Sequence, residues 1–117
     1  SPVSGDVFSL TFTVAGREFF ALNGGPHFEF TPAISIFVEC ADQAEVDKYW
    51  NALTADGGEE SRCGWLKDKW GLSWQIVPKR LGEVLANPDP VKAKAAMDAM
   101  LQMKKINIAE LNAAVGE

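Results

Sequence analysis

From Val7 to Val14 the chain alternates strictly. Phe8, Leu10, Phe12 and Val14 are apolar and Ser9, Thr11 and Thr13 polar, a period of two that sets one apolar face along a β-strand. Ala15-Gly16-Arg17 reads as a tight turn, because glycine accepts positive φ, and Glu18 to Leu22 returns as the hairpin partner. Asn23-Gly24-Gly25-Pro26 ends that strand, and a loop carrying His27 leads to a third apolar run, Ala33 to Cys40. There the period changes. Asp42-Gln43-Ala44-Glu45 has the form of a capping box, with the Asp42 carboxylate accepting from an orphan helix N–H and Glu45 reaching back to the Asp42 backbone. Val46, Tyr49, Trp50 and Leu53 follow at helical spacing, and Asp56-Gly57-Gly58 stops the helix. Two more strands are expected, Glu60 to Leu66 and Leu72 to Pro78, joined by a charged turn through Lys67-Asp68-Lys69-Trp70-Gly71. Asp89 and Pro90 then form an N-cap and first helical position, and Ala93, Ala96, Met97, Met100 and Leu101 give that helix an apolar stripe. Lys104 and Lys105 complement the negative end of its dipole. Asn107 and Glu110 cap a last short helix that ends at Gly116.

No linker in this pattern is long enough to separate a pair of independently folding domains, so a single domain over 1–117 is expected. Within it, 1–30 is a hairpin and connecting loop, 31–80 a strand-helix-strand-strand unit and 81–117 C-terminal helices. The unit reads as βαβββ with one strand short or merged. With 117 residues, 47% hydrophobic and 23% charged, the chain can bury a core without disulfides or metal staples. The net charge of −5, with no basic cluster larger than Lys104-Lys105, gives no footprint for a phosphate backbone, so nucleic acid is not an expected partner. No basic segment precedes an apolar stretch near Ser1, and no run of about 18 apolar residues occurs, so neither membrane insertion nor secretion is expected. Cys40 and Cys63 lack CxxC spacing and are expected as free thiols in a reducing, cytoplasmic setting.

Several segments resemble one family: Phe19-Phe20-Ala21-Leu22-Asn23-Gly24-Gly25-Pro26, Asp47-Lys48-Tyr49-Trp50, Cys63-Gly64-Trp65-Leu66-Lys67-Asp68 and Gly71-Leu72-Ser73-Trp74-Gln75-Ile76-Val77-Pro78, with Met97 to Lys104. Over nearly its whole length the chain is similar to the PhnB-like family, often labelled demethylubiquinone methyltransferase-like, of the glyoxalase/bleomycin-resistance/dioxygenase (vicinal oxygen chelate) superfamily. The resemblance implies an α+β fold in which two βαβββ modules side by side make a cupped mixed sheet with helices outside. It also implies a βαβ segment ahead of the Val7 strand that is missing here, so the chain is either a natural short form or, as is expected, one whose first segment was unobserved or removed. A homodimer is the expected assembly, since members commonly complete their cups by pairing.

Metal-using members of the superfamily supply ligands from the first and last strands of each module. On that resemblance Ser35 takes the first-strand position of the second module and Gln75 the last-strand position. Neither is His, Asp or Glu, so no metal and no cofactor is expected: a neutral amide and hydroxyl bind divalent transition metals weakly. They suit the orientation of a small polar ligand instead, or they bond to each other or to water. Trp65, Trp70 and Trp74 bring aromatic area to the same hairpin; Trp65 and Trp74 join the candidate ligand-binding residues, the alternative for such side chains being core or dimer contacts. His27, alone in a Gly/Pro loop, is a minor candidate. Asp68 is expected to bond turn backbone, and Cys40, next to Glu39, is not expected to be nucleophilic. Three classes of function remain: a small-molecule binder without metal, a metal-dependent enzyme acting on a small oxygenated metabolite, and the methyltransferase of the family label. The last is disfavoured because Gly24-Gly25-Pro26 opens onto a loop and a strand, and not onto the helix a nucleotide-binding turn requires.

Overall fold

The computed structural model of the protein describes residues 7–117, which form two compact units divided between Phe30 and Thr31. The first unit is the expected hairpin, β1 (Ser9–Val14) paired antiparallel with β2 (Arg17–Leu22). The return strand begins one residue earlier than the pattern suggested, because Ala15 and Gly16 alone make the turn. Both have positive φ, 52° and 77°, the conformation whose twist matches that of the flanking strands. Phe12 and Phe19 are Cα partners whose rings stack with centroids 5.3 Å apart. Asn23 closes the far end, its backbone N–H donating to the Phe8 carbonyl and its side-chain amide to that of Val7.

The second unit starts with β3 (Ser35–Cys40), α1 (Gln43–Thr54) and a single 3-10 turn, Ala55–Gly57. Three strands follow: β4 (Glu59–Glu60), β5 (Trp65–Lys67) and β6 (Ser73–Pro78). Their order in the sheet is β3-β6-β5-β4, with β3 and β6 parallel and the other neighbours antiparallel. This is a full βαβββ unit. The run expected as one strand from Glu60 to Leu66 is two strands, because Cys63 and Gly64 take positive φ, 58° and 86°, and leave the ladder. Their N–H groups donate instead to the carbonyls of Met103 and Lys104, both at 2.8 Å, and the Gly64 carbonyl accepts from Ile76. A Cβ at position 64 would lie 3.0 Å from the Ile76 carbonyl oxygen and 3.2 Å from Ile106. Glycine is therefore required by φ and by space together.

The Asp42 carboxylate accepts from the Glu45 N–H at 2.9 Å, as a helix cap should. The Glu45 carboxylate reaches back to the Ala41 N–H, one residue before the expected one. Val46 and Trp50 are buried on α1, and Val38, Cys40, Leu66, Trp74 and Ile76 are buried on the sheet. The Trp50 indole N–H donates to Glu60 at 2.8 Å, tying the helix to the outermost strand.

The helix α2 (Lys79–Leu85) carries no start signal in the sequence: Pro78 stands at its N-cap without a side-chain hydrogen bond, and the helix runs straight out of β6. With α3 (Pro90–Leu101) and α4 (Ile108–Ala114) it builds a separate core of Leu81, Val84, Ala96, Met103, Ile106, Leu111 and Val115. The caps at Asp89 and Asn107 form as expected. The α3 stripe does not. Only Ala96 is fully buried, while Met97 and Leu101 are exposed, because the helix turns its alanine side to the core and leaves the deeper packing to Met103 beyond its end. Gln43 at the start of α1 joins the two cores, donating to the Ile106 carbonyl and accepting from the Ile108 N–H at 3.0 and 2.8 Å. Lys105 and, secondarily, Gln43 hydrogen-bond the Asp47 carboxylate and hold its pKa below the usual range. Among the described residues, no helix is long and apolar enough to cross a membrane.

Candidate functional site

Alternation along the strands gives the four-stranded sheet two unlike faces. One presents Val38, Cys40, Leu66, Trp74 and Ile76 to the core beneath α1. The other carries Ser35, Phe37 and Glu39 on β3, Ser73, Gln75 and Val77 on β6, and Trp65 and Lys67 on β5. Cross-strand register arranges these in rows: Ser35, Ser73, Lys67 and Glu59 in one, and Phe37, Gln75 and Trp65 in the next. Val77, one step further along β6, packs on the helical core and closes that end.

Ser35 and Gln75 meet on this face. The Gln75 side-chain amide donates to Ser35 Oγ at 2.9 Å across the β3–β6 boundary, and both residues are partly buried. The pair keeps unused capacity: the second amide N–H and the carbonyl oxygen of Gln75, and the hydroxyl proton of Ser35. Trp65 stands beside Gln75 as its Cα partner and is partly buried.

Trp74 belongs elsewhere, which corrects the expectation that it shares the ligand face. It is 0% exposed, lies in the α1 core, and its indole N–H donates to Asp68 Oδ2 at 2.9 Å. Its position next to Gln75 on one strand already dictates the opposite face. Phe37 was missed, although its spacing of two from Ser35 carried the same signal; it is 47% exposed. Trp70 is exposed in the β5–β6 turn, with Lys69 Nζ 4.7 Å from its ring centroid. His27 lies exposed in a turn of the first unit and forms no part of this sheet.

Asp68 is buried in that turn, where Oδ1 accepts from the N–H groups of Trp70 and Leu72 at 2.9 and 3.0 Å. Its lone pairs are committed to structure, as a turn aspartate's are. Cys40 and Cys63 are free thiols. Burial, reinforced by the nearby carboxylates of Glu45, Asp42 and Glu39, pushes the Cys40 thiol up to about 11, which suppresses the thiolate needed for nucleophilic chemistry. Among the described residues, no three His, Cys, Asp or Glu side chains gather closely enough to hold a metal ion.

A βαβββ sheet with a helix on one face and a polar-aromatic surface on the other defines a mixed α+β protein of the glyoxalase-like PhnB fold. Residues 1–77 match the family described as 3-demethylubiquinone-9 3-methyltransferase, and the chain belongs to that PhnB-like family. A PhnB protein from Bacillus cereus, which provisionally carries the same methyltransferase designation, is 33% identical with a TM-score of 0.50 over 60% of this chain. The match spans 63% of that protein's length. Protein PA1353 from Pseudomonas aeruginosa aligns at 20% identity with a TM-score of 0.49, over 67% of this chain and 70% of its own. No curated protein matches the chain.

The described residues do not fit the adenosyl cofactor that the family label implies. Of the two strand-to-helix connections, β3 to α1 passes through Ala41-Asp42 and β6 to α2 through Pro78, and neither contains the glycine that lets backbone approach a nucleotide. Asp42 and Glu45 occupy the α1 N-terminus with carboxylates of their own.

Proposed function

We propose that this protein binds a small molecule on the sheet face opposite α1, in the manner of the non-enzymatic members of the vicinal oxygen chelate superfamily. Ser35 and Gln75 orient the ligand and Trp65 packs beside it. The observation that carries this reading is the Gln75–Ser35 hydrogen bond at 2.9 Å, a polar pair joining edge strand β3 to its neighbour β6 with donors and an acceptor to spare. An amide and a hydroxyl recognise neutral polar groups, whereas coordination of a divalent transition metal asks for imidazole, thiolate or carboxylate. Methyl transfer is disfavoured by the two strand-to-helix connections, neither of which offers a nucleotide cradle. The working form is proposed to be a homodimer with two-fold symmetry.

Native mass spectrometry of the freshly purified protein tests the reading directly. A dimer, free of metal and carrying an added organic mass that is lost in Gln75→Ala, is the expected spectrum. Stoichiometric zinc, nickel, manganese or iron would overturn it in favour of a metal-dependent enzyme.

A further inference from the structure

We infer that the ligand is an uncharged planar aromatic molecule seated edge-on over Gln75, between the side chains of Trp65 and Phe37. The inference rests on the binding face proposed above and specifies what that face accepts. Gln75 is the Cα partner of Trp65 on one side and of Phe37 on the other, so a single row across β5, β6 and β3 reads aromatic, amide, aromatic. All three side chains project from the same face. Phe37 is 47% exposed and Trp65 partly buried, so the core claims neither ring in full.

The spacing of the row fits one ring. Neighbouring strands lie about 4.8 Å apart, so the two aromatic positions stand about 9.6 Å apart, and a ring set midway has a neighbour about 4.8 Å away on each side. That is within the range of about 4.5–7 Å between centroids at which aromatic pairs attract. A saturated ring of the same outline is thicker and lacks the quadrupole, and gains less from both walls.

The floor of the slot is polar without being charged. Gln75 and Ser35 can still offer one amide N–H, one hydroxyl proton and one carbonyl oxygen, so a hydroxyl or a carbonyl on the ring edge finds a partner. The ionisable groups on the same face do not form a dedicated site for a charged ligand. Glu59 and Lys67 are Cα partners, opposite charges side by side in the adjacent row, and Glu39 beyond Phe37 repels an anion. Bringing an anion into the slot would cost its hydration without a dedicated counter-charge, and a cation would recover little of that cost from Glu39, whose exposed carboxylate is screened by solvent.

The test is a binding series followed by NMR on the intact chain, observing the Gln75 side-chain amide and the Trp65 indole N–H. The probes are 2-naphthol, decahydro-2-naphthol, 2-naphthoate and 2-naphthylmethylammonium. Saturable shifts at both resonances are expected with 2-naphthol, with the other three binding at least roughly tenfold more weakly. Trp65→Leu and Phe37→Leu should each weaken 2-naphthol about three- to tenfold; the exposure of Phe37 keeps the second variant informative if the first fails to fold. Equal binding of the saturated alcohol, or indifference to both variants, would sink the aromatic inference while leaving the binding face intact. Tighter binding of either ion, or no response to 2-naphthol, would sink it too. Failure of the face itself would show as a co-purifying mass retained in Gln75→Ala.

Discussion

Asp68 spends both carboxylate oxygens on the β5–β6 turn, two backbone donors on one and the Trp74 indole on the other. An amide cannot do the same, because its NH2 would face a donor. Asp68→Asn should therefore cost about 1–3 kcal/mol in urea unfolding while leaving ligand binding unchanged. Cys40 sets a pH window. Its folded pKa of about 11 lies above the ordinary value of 9.0, so below about pH 9 both folded and unfolded thiols are protonated and its full contribution is present. Between about 9 and 11 the unfolded thiol ionises first, and stability falls as pH rises, by at most about 2–3 kcal/mol. Alkaline melts of the natural chain and Cys40→Ala should differ in slope over that window and nowhere below it. At this scale the sequence was legible wherever one strand period decided the matter. Ser35 and Gln75 face together because each strand alternates; Trp74 departs from the expected face because strand parity, and not the aromatic content of its segment, decides where a side chain points. The Asp68–Trp74 bond had no sequence signal, since it depends on a turn folding back onto the core.

The elements were legible where short-range chemistry marks them, as at the Asp42, Asp89 and Asn107 caps. They were not where distant contacts decide. The break at Cys63-Gly64 exists because the chain at Met103 and Lys104 accepts its hydrogen bonds, from residues some 40 positions away. Gly64→Ala meets both an adverse φ and a carbonyl, and should cost about 1–3 kcal/mol by chemical denaturation. Ala15 provides the opposite case. It holds φ at 52° in a turn with open space around Gly16, a conformation that asparagine or glycine adopts more cheaply. Ala15→Gly or Ala15→Asn should slow amide exchange in β1 and β2 by a factor corresponding to about 0.5–1 kcal/mol. The helix α2 carries no local signal for a related reason: with proline at its cap and Gly82 inside, distant contacts hold it helical, the packing of Leu81 and Val84 and the bonds of Arg80 to Asn112 and Glu117.

For the molecule as a whole, the proposed dimer is tested by sedimentation at micromolar concentration, with twice the chain mass expected and the single-chain mass overturning it. Composition carried only an expectation at this scale, that no phosphate backbone is bound, and the sequence pattern did not reveal that the C-terminal helices build a second core joined to the first through Gln43. The parallel pairing of β3 with β6 carries a kinetic consequence. Those strands meet only after the whole of α1, β4 and β5 has been threaded between them, and the Gln75–Ser35 bond closes a loop of 40 residues. Long loops are closed late, because their entropy is lost before the contact rewards it. The proposed recognition surface is therefore expected to form only when β6 docks on β3, so a nascent polypeptide should not capture the proposed ligand before that step.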